Sequence, residues 1–144
     1  MLSGWRWYPM TLRLLLVDDN AQFLDAASGL LEREGISVVG VATSGAEALE
    51  RIEELDPDLA LVDVDLGEEN GLELVERLAR RPVRPGGRPP RYILISAYAE
   101  QDVVDLVAAT PALGFVSKAE LSRSAIEQVL APRRANRLSG PQGS

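Results

Sequence analysis

Short apolar runs alternate along this chain with segments whose apolar residues recur at helical spacing. The apolar runs lack the every-second-residue polarity of half-exposed strands, which indicates strands buried on both faces of a sheet. The predicted strands are residues 12–17, 36–41, 59–62, 92–95 and 113–116. Each strand is followed by a segment of helical periodicity. The pattern therefore predicts five strand–helix units in one domain.

Capping residues set the bounds of the first two predicted helices. Asn20 is a favourable N-cap, and Gly35 is suited to the end of that helix. Ser44 and Glu47 have the spacing of a capping box, and Pro57 stops the helix that follows. The predicted helices are residues 21–34, 45–55, 71–80, 100–109 and 119–130. Residues 81–90 contain four prolines and two glycines, so we expect no regular structure there.

Alternating strands and helices predict an α/β fold with a parallel, doubly wound sheet covered by helices on both faces. Ligands of such sheets bind just beyond the carboxyl ends of the strands. A domain of this kind fits the chain length of 144 residues. We assign residues 11–131 to the domain, residues 1–10 to an N-terminal extension and residues 132–144 to a disordered tail.

Composition removes several classes of chemistry. The chain has no cysteine and no histidine, which excludes disulfides, thiolate sites, histidine-based triads and most zinc sites. The net charge of −7 disfavours direct binding to nucleic acid. No apolar run approaches the roughly 20 residues that cross a bilayer, and the first residues do not resemble a signal peptide. We therefore expect a cytoplasmic protein without a membrane partner.

Chemically useful side chains stand at the ends of four predicted strands. Asp18 and Asp19 follow the first strand, Asp63 the third, Ser96 the fourth and Lys118 the fifth. Clustered carboxylates repel one another and favour a hard cation such as Mg²⁺. One carboxylate could then attack phosphorus while the metal and a lysine neutralise charge on the transferred group.

Four segments, LLLVDDN, PDLALVDVDLGEENGLEL, ILISA and GFVSK, resemble the response-regulator receiver domains of two-component signalling, in order and at similar spacing. The resemblance implies a flavodoxin-like (βα)5 fold with strand order 2-1-3-4-5. It also implies that Asp63 accepts a phosphoryl group from a sensor histidine kinase or phosphotransfer protein. Such a domain is not an enzyme beyond its own phosphorylation and dephosphorylation.

The resemblance further implies roles for individual residues. The implied Mg²⁺ ligands are Asp18, Asp19, Asp63 and the backbone carbonyl of Asp65. Ser96 and Lys118 match the hydroxyl and ammonium that contact the phosphoryl group. Phe115 matches the aromatic switch, which turns inward together with a movement of Ser96. The switch would expose a face formed by helix 4, strand 5 and helix 5 to a downstream protein or a second copy.

Alternatives remain open from the sequence. The chain could be a pseudo-receiver scaffold that is never phosphorylated. Asp63-Val64-Asp65 after an apolar strand also resembles the nucleophile motif of haloacid-dehalogenase-type Mg²⁺-dependent phosphatases. GFVSKAELS resembles receivers that precede LuxR-type DNA-binding domains, so both a stand-alone receiver and a piece of a longer regulator fit.

Overall fold

Five parallel strands form the centre of the fold, and helices pack on both faces of the sheet. The computed structural model describes residues 12–97 and 104–131. The sheet strands are β1 Arg13–Val17, β2 Ser37–Ala42, β3 Leu59–Asp63, β4 Arg91–Ser96 and β5 Gly114–Ser117. The helices are α1 Ala21–Arg33, α2 Gly45–Leu55, α3 Gly71–Arg80, α4 Val104–Ala108 and α5 Arg123–Leu130. The order β2-β1-β3-β4-β5 confirms the predicted 2-1-3-4-5 topology.

The predicted capping residues begin the first two helices. The Asn20 side chain accepts a hydrogen bond from the backbone N–H of Phe23. The Ser44 hydroxyl accepts one from Glu47 N, and the Glu47 carboxylate accepts one in return from Thr43 N. These bonds satisfy backbone donors that a helix start leaves unpaired. The helices therefore begin where the sequence predicted.

The core consists of two apolar layers separated by the sheet. Successive residues of a strand point to opposite faces. Leu15, Val62 and Leu94 therefore pack with α2 and α3, whereas Leu16 and Leu61 pack with α1 and α5. All five residues of β3 are buried. This central strand ends at Asp63, so the carboxylate of Asp63 is buried at the carboxyl end of the sheet.

The prediction of one helix over residues 119–130 is wrong in its first turn. Lys118–Glu120 form a 3₁₀ turn, and α5 begins only at Arg123. The Ser122 side chain caps α5 by accepting a hydrogen bond from Ala125 N at 3.0 Å. Between the two elements Leu121 is extended and buried, 6% exposed. Burial of that leucine and the serine cap together place the helix start four residues later than its apolar periodicity suggests.

Residues 81–90 contain neither helix nor strand, as their prolines and glycines predict. This segment leads into the amino end of β4, so it lies at the opposite edge of the sheet from Asp63. The assignments of residues 1–10 and 132–144 and the start of the fourth helix lie outside the described residues. Among the helices that the structure describes, none has the length and apolarity to cross a membrane.

Candidate functional site at the carboxyl edge of the sheet

The register of the parallel strands brings the predicted site residues to one edge. Val17 of β1 pairs with Val62 of β3, so the next residues, Asp18 and Asp63, lie side by side. Asp63 in turn pairs with Ile95 of β4, next to Ser96. The side chains of this edge that are buried are Asp18, Asp63 and Ser96, with relative exposures of 0%, 5% and 1%. Two of these buried groups are carboxylates, which require compensating charge or hydrogen bonds.

Lys118 supplies that charge. Its Nζ lies 2.6 Å from Asp18 Oδ2 and 2.9 Å from Asp63 Oδ2. The lysine side chain is only 18% exposed, so water screens these ion pairs weakly. One ammonium therefore bridges the two buried carboxylates, which come from different strands.

Backbone amides occupy the other oxygen of each carboxylate. Asp18 Oδ1 accepts a hydrogen bond from Asn20 N at 2.9 Å, and Asp63 Oδ1 accepts one from Asp65 N at 3.1 Å. Asp18 Oδ2 has no donor among the described residues besides the Lys118 ammonium at 2.6 Å. A carboxylate oxygen has two lone pairs, so this buried oxygen can also accept a metal ion.

Three carboxylates at this edge form a donor set suited to a hard metal ion. Asp18, Asp19 and Asp63 each offer one oxygen, and these oxygens lie within 4.8 Å of one another. Asp19 is exposed, whereas the other two are buried. Mg²⁺ is bound by a few carboxylates and retains several waters. A half-open cluster of three carboxylates, two of which are buried, fits that ion.

Two glycines shape the backbone around the carboxylates. Gly67 has a φ of +75°, and a Cβ there would lie 2.8 Å from Asp19 Oδ2. A Cβ on Gly71 would lie 1.9 Å from the carbonyl oxygen of Asp63. Gly67 therefore leaves room for the exposed carboxylate, and Gly71 lets α3 start directly beneath the backbone of Asp63.

A small antiparallel ribbon connects Asp63 to α3. Its strands are Asp65–Leu66 and Glu69–Asn70. Glu69 Oε1 accepts a hydrogen bond of 2.8 Å from Gly45 N, at the first turn of α2. The loop after Asp63 is therefore attached to a second helix N-terminus, an interaction that the sequence pattern does not indicate.

Burial and neighbouring charges act on the two central ionisable groups. Burial raises the pKa of Asp63 to about 6, against the opposing effects of Lys118 and of the Asp65 N–H. Burial would lower the pKa of Lys118, but its contacts with Asp18 and Asp63 outweigh that effect and the pKa is raised. At neutral pH the lysine is a cation and Asp63 is mostly an anion. A carboxylate in that state is a nucleophile.

The remaining predicted residues occupy less central positions. Ser96 is buried at the end of β4 and pairs with Ser117 of β5. Phe115 lies one strand further from Asp63, half-buried, and packs against the core layer of α2 and α3. Asp65 is exposed and donates its N–H to Asp63, whereas the metal-binding role of its carbonyl stays a prediction.

Phe23 is a site residue that sequence reasoning missed. The Lys118 Nζ lies 4.6 Å from the centroid of its ring. From the sequence, Phe23 is only one of the apolar residues of the first helix. Its position one turn after Asp18-Asp19 could have indicated a contact with the site, because side chains in a helix lean back toward its N-terminus.

Known proteins resemble this chain along most of its length. The family described as Response regulator receiver domain matches residues 14–131. A putative transcriptional regulator of Pseudomonas aeruginosa is 32% identical over 108 residues, which cover 75% of this chain and 50% of that protein. The DNA-binding transcriptional activator EvgA of Escherichia coli is 30% identical over 109 residues, covering 76% of this chain and 51% of EvgA. The chain thus spans about half the length of these curated relatives.

Solved structures agree with the sequence comparisons. The signal receiver domain of the putative response regulator NarL from Mycobacterium tuberculosis superposes with a TM-score of 0.69 at 27% identity, covering 85% of this chain and 98% of that one. A CheY-like receiver domain protein from Methanospirillum hungatei has a TM-score of 0.65 at 30% identity, covering 83% and 90%.

Proposed function

The chain belongs to the response regulator receiver domain family of two-component signalling, and from that membership we propose that it is a switch phosphorylated on Asp63. The observation that carries the proposal is the Lys118 ammonium, which lies within 3 Å of both Asp18 and Asp63. A cation held at that position faces the oxygen that would attack phosphorus. It also offsets the charge that a phosphoryl group would bring.

The proposed reaction is a phosphoryl transfer to a carboxylate. A carboxylate oxygen of Asp63 forms a bond to phosphorus as the bond from phosphorus to the donor breaks. The electron pair of the broken bond leaves with the donor, which is the phosphorylated histidine of a sensor kinase or phosphotransfer protein. Lys118 stabilises the negative charge on the transferred oxygens, while the Asp65 N–H continues to orient the carboxylate.

Asp18, Asp19 and Asp63, with the backbone carbonyl of Asp65, would hold Mg²⁺. When bound, the divalent ion neutralises the oxygens of the transferring group and so lowers the barrier. Without added cations, Asp18 and Asp63 share the single charge of Lys118. The excess negative charge of the cluster supports an additional cation at this site.

We propose that Ser96 and Phe115 convert phosphorylation into a change of surface. Ser96 lies buried at the strand end next to Asp63, where its hydroxyl could contact a phosphoryl oxygen. Phe115 lines a cavity of about 280 Å³ together with Glu120 and Val129. The cavity lies between β5 and α5, two of the three elements of the proposed α4–β5–α5 face. A downstream protein or a second copy of the chain would bind there.

We assign the receiver unit to residues 11–131. The curated relatives include the DNA-binding transcriptional activator EvgA, of which this chain covers 51%. We propose that the contacts of this chain are with proteins, since its net charge of −7 opposes direct binding to nucleic acid. The kinase-side partner then docks beside Asp63, and the output partner docks on the α4–β5–α5 face.

The proposal is tested by measuring intact protein mass after incubation with acetyl phosphate and Mg²⁺. Wild type should gain one phosphoryl group in a Mg²⁺-dependent reaction, and Asp63→Asn should gain none. Asp105→Asn, which neutralises an exposed carboxylate on α4, is the matched control and should be phosphorylated like wild type.

Two other outcomes would replace the proposal by its alternatives. If wild type gains no mass although Mg²⁺ is shown to bind, the chain is a pseudo-receiver scaffold. Continued release of phosphate from a generic phosphate ester over many turnovers would indicate a phosphatase of the haloacid-dehalogenase type. A single stoichiometric phosphorylation argues against both.

A further inference from the structure

We propose that Phe23 is a positioning residue whose ring holds the Lys118 ammonium over the acceptor Asp63. The inference rests on the proposed phosphoryl transfer and adds a residue to its machinery. Phe23 would act only through the lysine.

Three groups lie close to the Lys118 ammonium. Asp18 Oδ2 lies at 2.6 Å and Asp63 Oδ2 at 2.9 Å. The Phe23 ring centroid lies at 4.6 Å, inside the roughly 6 Å range of cation–π attraction. The two carboxylates compensate the charge of the ammonium, and the ring offers it a third, uncharged contact.

Lysine needs such restraint because its four-carbon stem is flexible. The carboxylates of Asp18 and Asp63 both attract the ammonium, but attraction to one of them does not keep the ammonium close to the other. Lys118 is 18% exposed in its side chain. A cation–π contact removed from water is stronger than one on the surface, so the ring has a measurable effect at this position.

Helix α1 holds the ring in place. Phe23 lies in its first turn, where its N–H donates to Asn20 Oδ1 at 3.1 Å. Its side chain is half-buried and packs against the core layer of α1 and α5. The same turn therefore follows the acidic pair Asp18-Asp19 and places an aromatic face against the lysine.

The ring acts differently from the carboxylates during the reaction. Phosphorylation of Asp63 removes one carboxylate partner of Lys118 and replaces it with phosphoryl oxygens. The attraction of the Phe23 ring for the ammonium does not depend on that exchange, because the ring is uncharged. Phe23 thus keeps the ammonium near the acceptor while its anionic partners change.

The test compares variants at Phe23 in the time course of phosphorylation by acetyl phosphate with Mg²⁺, followed by intact mass. Phe23→Leu retains apolar volume but removes the π face, and its rate constant should fall about threefold to tenfold. Phe23→Tyr and Phe23→Trp retain the π face and should stay within about twofold of wild type. Thermal unfolding checks that each variant is folded.

A double-mutant cycle separates positioning from a structural role. In a Lys118→Gln background, Phe23→Leu should have no further effect on the rate. The same four variants are also compared by their unfolding equilibrium constants in metal-free buffer. The effect of Phe23→Leu on that constant should be about threefold to tenfold larger with Lys118 present than in the Lys118→Gln background.

The inference is overturned if Phe23→Leu reacts like wild type, if the tyrosine and tryptophan variants are as slow as leucine, or if Phe23→Leu has the same effect with and without Lys118. Failure of the proposed function is a distinct result. In that case wild type gains no phosphoryl group, while the metal-free cycle still reports whether Phe23 and Lys118 are coupled.

Discussion

Replacement of Gly71 by alanine should destabilise the fold and disturb the proposed acceptor Asp63 at the same time. A Cβ at this position would lie 1.9 Å from Asp63 O, 2.8 Å from Asp63 C and 2.9 Å from Val64 Cα. All three are backbone atoms, so no side-chain rotation relieves the contact. The closest approach is about 1.1 Å short of the 3.0 Å below which Cβ contacts essentially do not occur.

The start of α3 must therefore move away from the end of β3. That movement strains the hydrogen bond of 2.8 Å from Gly71 N to Val64 O. Overpacking of a rigid site costs about 1–3 kcal/mol, and a weakened hydrogen bond adds about 1 kcal/mol. We expect Gly71→Ala to lose about 2–4 kcal/mol of unfolding free energy. Displacement of Asp63 should also slow the phosphorylation that we propose for it.

Urea denaturation followed by circular dichroism measures the unfolding free energy, with Gly29→Ala as the matched control. Gly29 lies in the interior of α1, and a Cβ there would meet only the end of the Arg33 side chain, at 3.4 Å. The same chemical change should then stabilise the protein by about 0.5–1 kcal/mol, because alanine favours helix. A Gly71→Ala protein as stable as wild type, with an unchanged phosphorylation rate, would refute the assigned close approach.

Three further predictions concern buried polar groups. Lys118→Gln should lose about 2–4 kcal/mol of unfolding free energy in Mg²⁺-free buffer, because it leaves Asp18 and Asp63 without their cation. Added Mg²⁺ should restore part of that loss. Urea denaturation curves that change neither with the substitution nor with Mg²⁺ would contradict this prediction. Because burial raises the pKa of Asp63 to about 6, the folded state binds a proton that the unfolded chain releases near pH 4. Wild type without Mg²⁺ should therefore lose about 1–3 kcal/mol relative to Asp63→Asn as pH rises from 4 to 6, and a difference independent of pH would count against that ionisation. The Tyr92 hydroxyl is buried without a hydrogen-bond partner among the described residues, and burial raises its pKa to about 12. Tyr92→Phe should therefore leave the unfolding free energy unchanged or raise it by up to about 1 kcal/mol. A loss above about 1 kcal/mol in thermal or urea unfolding would show that the hydroxyl has a partner.

Much of the fold was predictable because its strands and caps are encoded locally. Apolar runs without alternation indicated strands buried on both faces, and the sheet buries every residue of β3. Asn20 and Ser44 satisfy the amides that begin α1 and α2 through contacts within a few residues. The start of α5 was missed, since burial of Leu121 depends on packing with distant residues.

The chemistry of the site depends on contacts between residues far apart in the chain. Sequence order indicated that Asp18, Asp63 and Lys118 would stand at strand ends, and the structure places them together. It could not indicate that Lys118 bridges both carboxylates, because the bridge depends on side-chain conformation. The ring of Phe23 beside that ammonium follows from how α1 packs on the sheet.

The sequence by itself determined the order of strands and helices, the family and the identity of the candidate site residues, because periodicity, capping and motif spacing are properties of the linear chain. The tertiary structure alone decided the burial of Asp63, the shared ammonium and the close approach of Gly71 to the Asp63 backbone. These depend on distances between strands that are neighbours in space but lie tens of residues apart in the chain.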